Sequence, residues 1–401
     1  MAAHQPDLTV LGLNDDCLLS IFNYLSLMDL ATTSEVCERF KLIADDVFSR
    51  RYKHIEFPKM GAEFSYNHHI LKHFGHKITS SSFSQNEFHL SLSKKQMSCI
   101  FEWLGKYCTE TLEKFSIDSK VKLALPPTAL TFFPKVKHID FFYPISSEDL
   151  KAALVSCKNL VTLRLDWYDG PFHFANHIMP HLKEFETVIR VNRLTEFDKI
   201  VTFFKNHTQL TALCTEFFNN RQAHYAVDLS FLSHLSNLTK LRLILNGSNV
   251  SDTASLSHLN HLQEFTVDCS YGKETDVEIL EHLGSVESLA DLGLGMPDVS
   301  HILRGIERFK NLFKLEIFDD DFNDILSLGE LRSNCIELEV WCTMLAQPNS
   351  LVNVVSNLKK LERIKLRCQV ALSEKVCADL VKVCSSQDLL SKNLTKTMED
   401  L

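Results

Sequence analysis

The chain has 401 residues and a formal net charge of −9 at pH 7, with 45% hydrophobic and 23% charged residues. This balance is typical of a folded protein and excludes a disordered or fibrous chain. Because no long run of lysine or arginine offsets the acidic charge, we expect no nucleic-acid surface.

The N-terminus carries no sign of export. It lacks a basic region followed by an apolar one, and no stretch of 18 uncharged apolar residues follows anywhere. The 12 cysteines are scattered and form no CxxC motif, so we expect reduced, buried thiols rather than disulfides. The sequence therefore predicts a cytoplasmic and/or nuclear protein without a membrane segment.

The first predicted elements are three short helices. Asn14, followed by two aspartates, is a good helix start, and a helix is predicted from about Asp15 to Tyr24. A second helix restarts at SLMDL, and a third follows it. The apolar stripe of the first helix is Leu18, Ile21, Phe22 and Leu25, and the buried stripe of the third is Val36, Cys37, Phe40 and Ile43. Helices this short make a marginal domain and need a partner surface.

Residues 58–111 form a less regular stretch, which we assign to a cap and degenerate first repeats. Within it, ITSSSF resembles a repeat strand in which Ser81 replaces the middle apolar residue. His69 and His73 lie four apart, a spacing that can bind zinc from one helix face. Without a further ligand pair in the sequence, we interpret them as surface histidines and expect no metal and no cofactor.

From residue 112 to 390, the pattern LxxLxL recurs eleven times, with starts separated by 22 to 28 residues. This period is typical of leucine-rich repeats, in which the pattern marks a short strand and the following segment returns as a helix. The sequence thus predicts an α/β horseshoe solenoid. The copies start at Leu112, Val136, Leu160, Leu182, Leu210, Leu238, Leu262, Leu289, Leu312, Cys335 and Leu361.

Two return segments show a helical stripe that ends on cysteine, which resembles the cysteine-containing class of leucine-rich repeats. Other units carry Asn-Leu without the cysteine, as in HLSNL and RFKNL. Residues 391–401 are assigned to a C-terminal tail. The stripes are Leu150, Ala153, Leu154 and Cys157, and Cys377, Leu380, Val381 and Cys384.

The N-terminal helices resemble the F-box, and together with the repeats the chain resembles the F-box/leucine-rich repeat proteins. We assign residues 8–57 to this domain; Asn14 stands where the family usually has proline, and Phe40 where it has tryptophan. The resemblance implies docking on a Skp-family adaptor, which joins a cullin and a RING protein. The matching residues are Leu13, Asp16, Leu18, Ile21, Phe22, Tyr24, Leu25, Asp29, Leu30, Val36, Cys37, Arg39 and Phe40. The adaptor-binding residues that we predict are Leu13, Asn14, Asp16, Leu18, Ile21, Tyr24, Leu25, Val36 and Phe40.

A protein substrate is expected on the variable strand positions of the C-terminal repeats. Phe318 and Trp341 are the predicted anchors because large aromatic side chains on a charged surface are typical of binding hot spots. Glu316, Glu339 and Lys365 surround them. The alternative is that this face carries only charge pairs between neighbouring strands. Trp167 and Tyr168 form a second candidate.

No enzyme signature is present: the sequence has no GxxxxGK[ST], GxSxG or GxGxxG motif. We therefore predict a non-catalytic substrate-recognition subunit of an SCF-type ubiquitin ligase. Two alternatives remain, a non-proteolytic scaffold and a plain leucine-rich repeat protein-binding module. A helical segment that merely capped the repeats would hide Leu13, Ile21 and Leu25, whereas a docking module leaves an apolar surface exposed.

Overall fold

A computed structural model describes most of the chain, which divides into two compact units, residues 1–167 and 168–401. The second predicted cysteine stripe and the predicted tail at 391–401 lie outside the described residues. The described residues are 10–57, 64–85, 94–119, 125–142, 145–168, 173–191, 194–219, 226–245, 250–268, 275–295, 309–318, 321–322, 335–342, 344–345 and 361–368, with residues 378 and 382.

The N-terminal segment folds into the three predicted helices, α1 (Asp15–Phe22), α2 (Leu27–Ser34) and α3 (Glu38–Arg51). Their shared core includes an edge-to-face pair between Phe22 and Phe40, with ring centroids 5.2 Å apart. Aromatic pairs of this geometry add to the stability that area burial provides.

The first helix of the repeat region, α4 (Phe64–Phe74), completes this core. Phe48 of α3 stacks on Phe74 with centroids 4.3 Å apart, and both side chains are fully buried. The three N-terminal helices thus share a hydrophobic core with the segment that we assigned to the cap.

Residues 1–167 contain a ladder of five parallel strands, each paired with the next in chain order. The ladder begins before residue 112, in segments of weak apolar pattern, and its strands alternate with helices. The strands are β1 (His54–Phe57), β2 (Ser80–Gln85), β3 (Lys114–Ser119), β4 (His138–Phe141) and β5 (Thr162–Tyr168). The further helices are α5 (Lys94–Tyr107) and α6 (Ser147–Ser156).

Residues 168–401 contain a second run of parallel strands and two additional strand pairs, β8 with β10 and β14 with β16. The strands are β6 (Glu184–Val191), β7 (Ala212–Asn219), β8 (Val227–Asp228), β9 (Lys240–Ile244), β10 (Val250–Ser251), β11 (Glu264–Asp268), β12 (Asp291–Gly295), β13 (Lys314–Phe318), β14 (Asp321–Phe322), β15 (Glu337–Cys342), β16 (Met344–Leu345) and β17 (Arg363–Cys368). The main ladder is ordered β6-β7-β9-β11-β12-β13-β15-β17. The helices are α7 (Leu194–Asn206) and α8 (Thr275–Leu283).

All eleven predicted repeats form a strand that begins two residues after the first apolar residue of the pattern. In the copy at Leu238, for example, Leu238, Leu241 and Leu243 are buried, while Lys240 and Arg242 face outward. The alternation follows from the two-residue period of a strand. The predicted repeat fold is confirmed: short parallel strands joined by helical return segments.

The return segments differ in kind but bury the expected residues. Leu150, Ala153 and Leu154 of α6 and Cys157 at its C-cap are buried. Elsewhere 3₁₀ turns replace the helix, at residues 229–234 and 253–258.

The recurring Asn-Leu dipeptide has a structural role. The side-chain amides of Asn159, Asn237 and Asn311 each donate a hydrogen bond to a backbone carbonyl of the preceding repeat, at 3.1, 3.0 and 2.7 Å. These bonds satisfy carbonyls that strand pairing leaves free, so they join successive repeats whether or not a cysteine precedes the asparagine.

None of the described helices is both long and apolar enough to cross a membrane.

Candidate functional site

The start of α1 depends on a side-chain cap. The Asn14 side chain accepts a hydrogen bond from the Cys17 amide at 2.9 Å, and Asp15 and Asp16 occupy the first turn. Carboxylates there interact favourably with the helix dipole. Asn14 thus caps the start of α1 with its side chain.

Two arginines of α3 hold the ends of the first helix. Arg39 bonds Asp15 at 2.7 Å and donates to the carbonyl oxygens of Leu11 and Leu13. Arg51 donates to the carbonyls of Asn23 and Leu25 at 2.8 and 3.1 Å. Because these carbonyls lie on either side of α1, the arginines fix the segments that enter and leave the helix.

Exposed apolar side chains are concentrated in this region. Among the residues that the structure describes, six of the nine exposed large apolar side chains lie between residues 10 and 42. Ile21 lies near the end of α1 and is 44% exposed, Tyr24 lies in the turn that follows α1 and is 91% exposed, and Val36 is 62% exposed. Of the three side chains that a sealed end cap would hide, Ile21 is exposed and Leu13 and Leu25 are partly exposed, which favours the docking interpretation over the cap.

The predicted adaptor-binding residues divide into three groups. Ile21, Tyr24 and Val36 are exposed apolar residues, Asn14 and Asp16 are exposed polar residues, and Leu13 and Leu25 are partly buried. Leu18 and Phe40 are corrections, because they are 0% and 4% exposed and belong to the core of the three helices. Val36 is also a correction to the predicted buried stripe of the third helix, since it precedes α3 and faces outward.

Three further exposed apolar residues, Val10, Leu11 and Leu42, were not among the predicted site residues. Leu42 lies one position before Ile43, off the buried stripe of α3. An apolar residue that departs from the core-facing stripe of an amphipathic helix was the available signal.

The predicted substrate anchors lie side by side on β13 and β15. Phe318 and Trp341 are register partners, and their ring centroids are 5.6 Å apart at an angle of 35°. Both are partly exposed. We call the outward-facing positions of the strands β9 to β17 the open face; the two rings form a continuous aromatic surface on it.

The charged residues of the open face are paired across the strands. Glu337 contacts Arg363 at 3.3 Å and Lys365 at 3.5 Å, while Glu339 contacts Lys365 at 3.5 Å and Lys314 at 3.6 Å. Both glutamates are buried. These contacts match the charge-pairing alternative. Lys314 also pairs with Glu316 on its own strand.

Ionisation of this face reflects the pairing. Burial alone would lower the pKa of Lys314, but its bond to Glu316 and the charges of Glu339 and Glu337 outweigh burial and raise it. Burial and the neighbouring Glu264 raise the pKa of Asp291, although Lys314 acts in the opposite direction. Lys314 therefore holds its proton more strongly than an ordinary lysine, and Asp291 is protonated more easily than an ordinary aspartate.

Two glycines create a local gap next to the aromatic pair. A Cβ on Gly293 would lie 2.8 Å from the Thr266 hydroxyl oxygen, and one on Gly295 would lie 3.0 Å from the Asp268 carboxyl carbon. Gly295 is the register partner of Phe318. Because Gly293 and Gly295 have no side chains, the side chains of Thr266 and Asp268 pack close to the backbone of β12. The sequence did not predict this contact.

A groove of about 370 Å³ lies in residues 168–401, along positions that directly precede the strands β6, β7, β9 and β11. None of the predicted site residues lines it. Trp167 and Tyr168 belong to β5, and their side chains lie outside the described residues.

The described cysteines are free thiols. Burial raises the pKa of Cys108 and Cys157 to about 12, and that of Cys335 to about 11. Thiols with such pKa values are poor nucleophiles at neutral pH.

One cluster of metal-ligand type occurs among the described residues: atoms of Glu35, His69 and His73 all lie within 4.8 Å of one another. Desolvation opposes the charge of Glu35, but the hydrogen bond from Lys72 and the nearby His73 outweigh it and lower the Glu35 pKa. Burial and His69 lower the pKa of His73, against the effect of Glu35.

Comparison with known proteins identifies the N-terminal module. Residues 10–52 match the F-box domain family. No curated protein matches the chain. A solved structure of an internalin from Listeria monocytogenes is similar at 10% sequence identity and a TM-score of 0.42, over 92% of each chain. The repeat architecture itself rests on the strand register of this chain.

Proposed function

We propose that this chain is the substrate-recognition subunit of an SCF-type ubiquitin ligase. The observation that carries the proposal is the F-box at residues 10–52, together with the exposed apolar side chains on it. An F-box implies binding to a Skp-family adaptor and, through it, to the cullin and RING subunits. A repeat fold with an open parallel face is suited to binding a protein.

In this proposal, the adaptor contacts the exposed part of the F-box. Ile21, Tyr24 and Val36 supply the apolar contacts, and Leu13 and Leu25 contribute their accessible edges. Leu11 and Leu42, which were not predicted from the sequence, add further exposed apolar area for this contact. Leu18 and Phe40 act indirectly, by holding α1 against α3.

The substrate binds the open face at Phe318 and Trp341. Their rings contact each other and offer exposed apolar area on neighbouring strands, which is typical of binding hot spots. Glu316, Glu339 and Lys365 form the polar surroundings, which favour a partner of mixed charge and make association weaken with salt.

The chain performs no bond chemistry in this proposal. It raises the effective concentration of the substrate near the charged ubiquitin-conjugating enzyme, and a lysine of the substrate is the acceptor. The high pKa values of its buried cysteines agree with a non-catalytic role. Ubiquitination then leads to proteasomal degradation in the cytoplasm and/or nucleus.

The test is co-purification of the full chain with a Skp-family adaptor. The variant Ile21→Asp with Tyr24→Asp places two carboxylates on exposed positions, where they leave the fold intact. We expect the loss of apolar contact to cost about 2–4 kcal/mol of adaptor binding, which raises the Kd roughly 30- to 700-fold. The matched control is Ile178→Asp, because Ile178 is also an exposed apolar residue, at 61%, and lies outside the F-box.

Three outcomes separate the candidate functions. Adaptor binding that is unchanged in the folded double variant contradicts the docking surface. If the chain binds the adaptor but the amount of no captured protein rises when the proteasome is inhibited, the chain is a non-proteolytic scaffold. Capture of a protein partner by a chain that ignores the adaptor indicates a plain protein-binding module.

A further inference from the structure

Three side chains of metal-ligand type converge where α2 of the F-box meets α4. Glu35 is the C-cap residue of α2, and His69 and His73 occupy successive turns of α4. One atom from each lies within 4.8 Å of the other two, and the two imidazole centroids are 4.7 Å apart. Two helices that are separate in sequence thus present one carboxylate and two imidazoles to the same point.

The hydrogen bonds of Ser34 determine the tautomer of His73. The Ser34 hydroxyl donates to the Ala31 carbonyl at 2.6 Å, so its oxygen accepts from Nδ1 of His73, 3.1 Å away. With its proton on Nδ1, a neutral His73 carries a lone pair on Nε2.

That lone pair faces another acceptor. Nε2 of His73 lies 2.8 Å from Oε1 of Glu35, and the nitrogen is buried without a hydrogen bond. A carboxylate oxygen and an unprotonated imidazole nitrogen repel each other at this distance. The arrangement becomes favourable only when a cation, either a proton or a metal ion, lies between them.

The position of His69 favours a metal ion over a proton as the cation between Glu35 and His73. Nε2 of His69 is also buried and has no hydrogen-bond partner among the described residues. A proton shared by Glu35 and His73 would leave this nitrogen unsatisfied, at a cost in free energy. A metal ion bound by all three residues satisfies every one of these atoms.

We propose that Glu35, His69 and His73 bind a zinc ion whose fourth coordination position is open to water. Two imidazoles and one carboxylate are ligands that zinc accepts in tetrahedral sites, whereas magnesium and calcium prefer oxygen ligands alone. Tetrahedral zinc, with bonds of about 2.0–2.1 Å, places its ligand atoms about 3.3 Å apart. Here Nε2 of His73 lies 2.8 Å from Oε1 of Glu35, and the three ligand atoms lie within 4.8 Å of one another, so small side-chain adjustments suffice to reach that spacing. Ser34 acts as a positioning residue through its bond to His73.

The zinc ion links the F-box to the first helix of the repeat region. Since the intact site requires α2 and α4 to be folded against each other, the ion stabilises that contact by mass action. Lys72 competes with the ion, because its Nζ lies 3.4 Å from Oε1 of Glu35. The Lys72 side chain is half exposed and is free to turn into solvent when the metal binds.

The experiment is a titration of the chelator-treated full chain at pH 7.5, with Zn²⁺ by calorimetry and with Co²⁺ by absorption. We expect a saturable site with one ion per chain. Tetrahedral Co²⁺ should show strong visible bands without the near-ultraviolet band of cobalt–thiolate bonds, which excludes binding at the free cysteines.

Variants test the three ligands. Glu35→Gln and His69→Gln should each weaken binding at least tenfold. The matched control is His76→Gln, because His76 also lies opposite a carboxylate, 3.1 Å from Asp45, but outside the cluster. Its affinity should equal that of the wild type. Lys72→Gln should bind zinc about threefold more tightly, because it removes the competing ammonium.

Titrations that do not saturate, or a cobalt spectrum with thiolate bands, would overturn the zinc site. Equal losses in His69→Gln and His76→Gln would also contradict it. If His69→Gln does not fold, the zinc affinity of Lys72→Gln becomes the deciding measurement. Tighter binding supports the site, because general damage to the structure does not strengthen metal binding, and unchanged or weaker binding contradicts it.

Discussion

We predict that a buried histidine, His207, makes the stability of residues 168–401 dependent on pH. His207 is fully buried and joins two successive repeats: its Nδ1 donates to the Phe203 carbonyl at 2.7 Å, and its Nε2 accepts from the Met179 amide at 3.1 Å. Its ring stacks on Phe203 with centroids 4.2 Å apart. Both nitrogens are therefore satisfied only by the neutral imidazole.

The perturbation is His207→Phe, which keeps a ring on Phe203 and removes both hydrogen bonds. Leaving the buried Met179 amide without an acceptor costs about 1–3 kcal/mol, and the lost bond to the Phe203 carbonyl costs about 0.5–1.5 kcal/mol. We expect a net destabilisation of about 2–4 kcal/mol at pH 7.5. This loss concerns hydrogen bonds, because most of the packing of the ring remains.

The pH dependence has a definite sign. Burial lowers the pKa of His207 from 6.5, the Phe203 carbonyl raises it in part, and His177 lowers it further. The unfolded chain therefore binds a proton below about pH 6.5 that the folded chain excludes. The full stabilisation is present above that pH and is lost as the pH falls through the window below it.

The assay is urea unfolding at pH 7.5 and 5.5, combined with hydrogen exchange of the peptides around residue 207. Hydrogen exchange reports the local unit even when the whole chain does not unfold in one step. The stability gap between wild type and His207→Phe should narrow at pH 5.5, while the exposed control His181→Gln shows no gap at either pH. An equal difference in stability between wild type and His207→Phe at pH 7.5 and at pH 5.5 would refute the prediction that His207 is neutral and pH-sensitive.

Two further predictions concern packing and substrate binding. Replacing Phe318 and Trp341 by alanine should cost about 2–4 kcal/mol of substrate affinity with the adaptor still bound, as measured by paired quantitative proteomics under proteasome inhibition. If the wild type and the double variant capture all partners in equal amounts, the substrate binds elsewhere on the repeats. Gly75→Ala should lower the free energy of unfolding by about 1–3 kcal/mol, because the new Cβ would lie 2.5 Å from Cβ of Tyr107. Gly12→Ala, which meets nothing within 4 Å, is the control in the same urea titration, and equal midpoints would contradict the close approach.

The repeats were predictable because one local rule determines each of them. A strand has a period of two, so the three apolar positions of LxxLxL specify its buried face without knowledge of the rest of the chain. The strands β1 and β2 show where this rule weakens. In β2 a serine, Ser81, occupies the central buried position, and its register with Ile55 and Phe115 keeps it in the ladder.

The F-box surface was only partly predictable, for a physical reason. A helical stripe shows which residues share a face, but not which neighbouring element covers that face. Leu18 and Phe40 match the family pattern and yet are buried, because α1 packs on α3. Glu35 entered no prediction, because only the packing of α4 against α2 brings it to His69 and His73.

The open face combines the two interpretations that the sequence left open, in different rows of residues. In the two rows that begin the strands, Glu337 and Glu339 are buried and paired, so a ligand that recruited them would have to break existing ion pairs. Such exchange yields little net affinity. In the next row, Phe318 and Trp341 contact each other but keep exposed area beside Gly295. Apolar area that is still exposed can contribute to binding without such exchange. For the proposed substrate we therefore expect the aromatic row to supply most of the affinity, and the paired rows to act mainly on specificity through their charge.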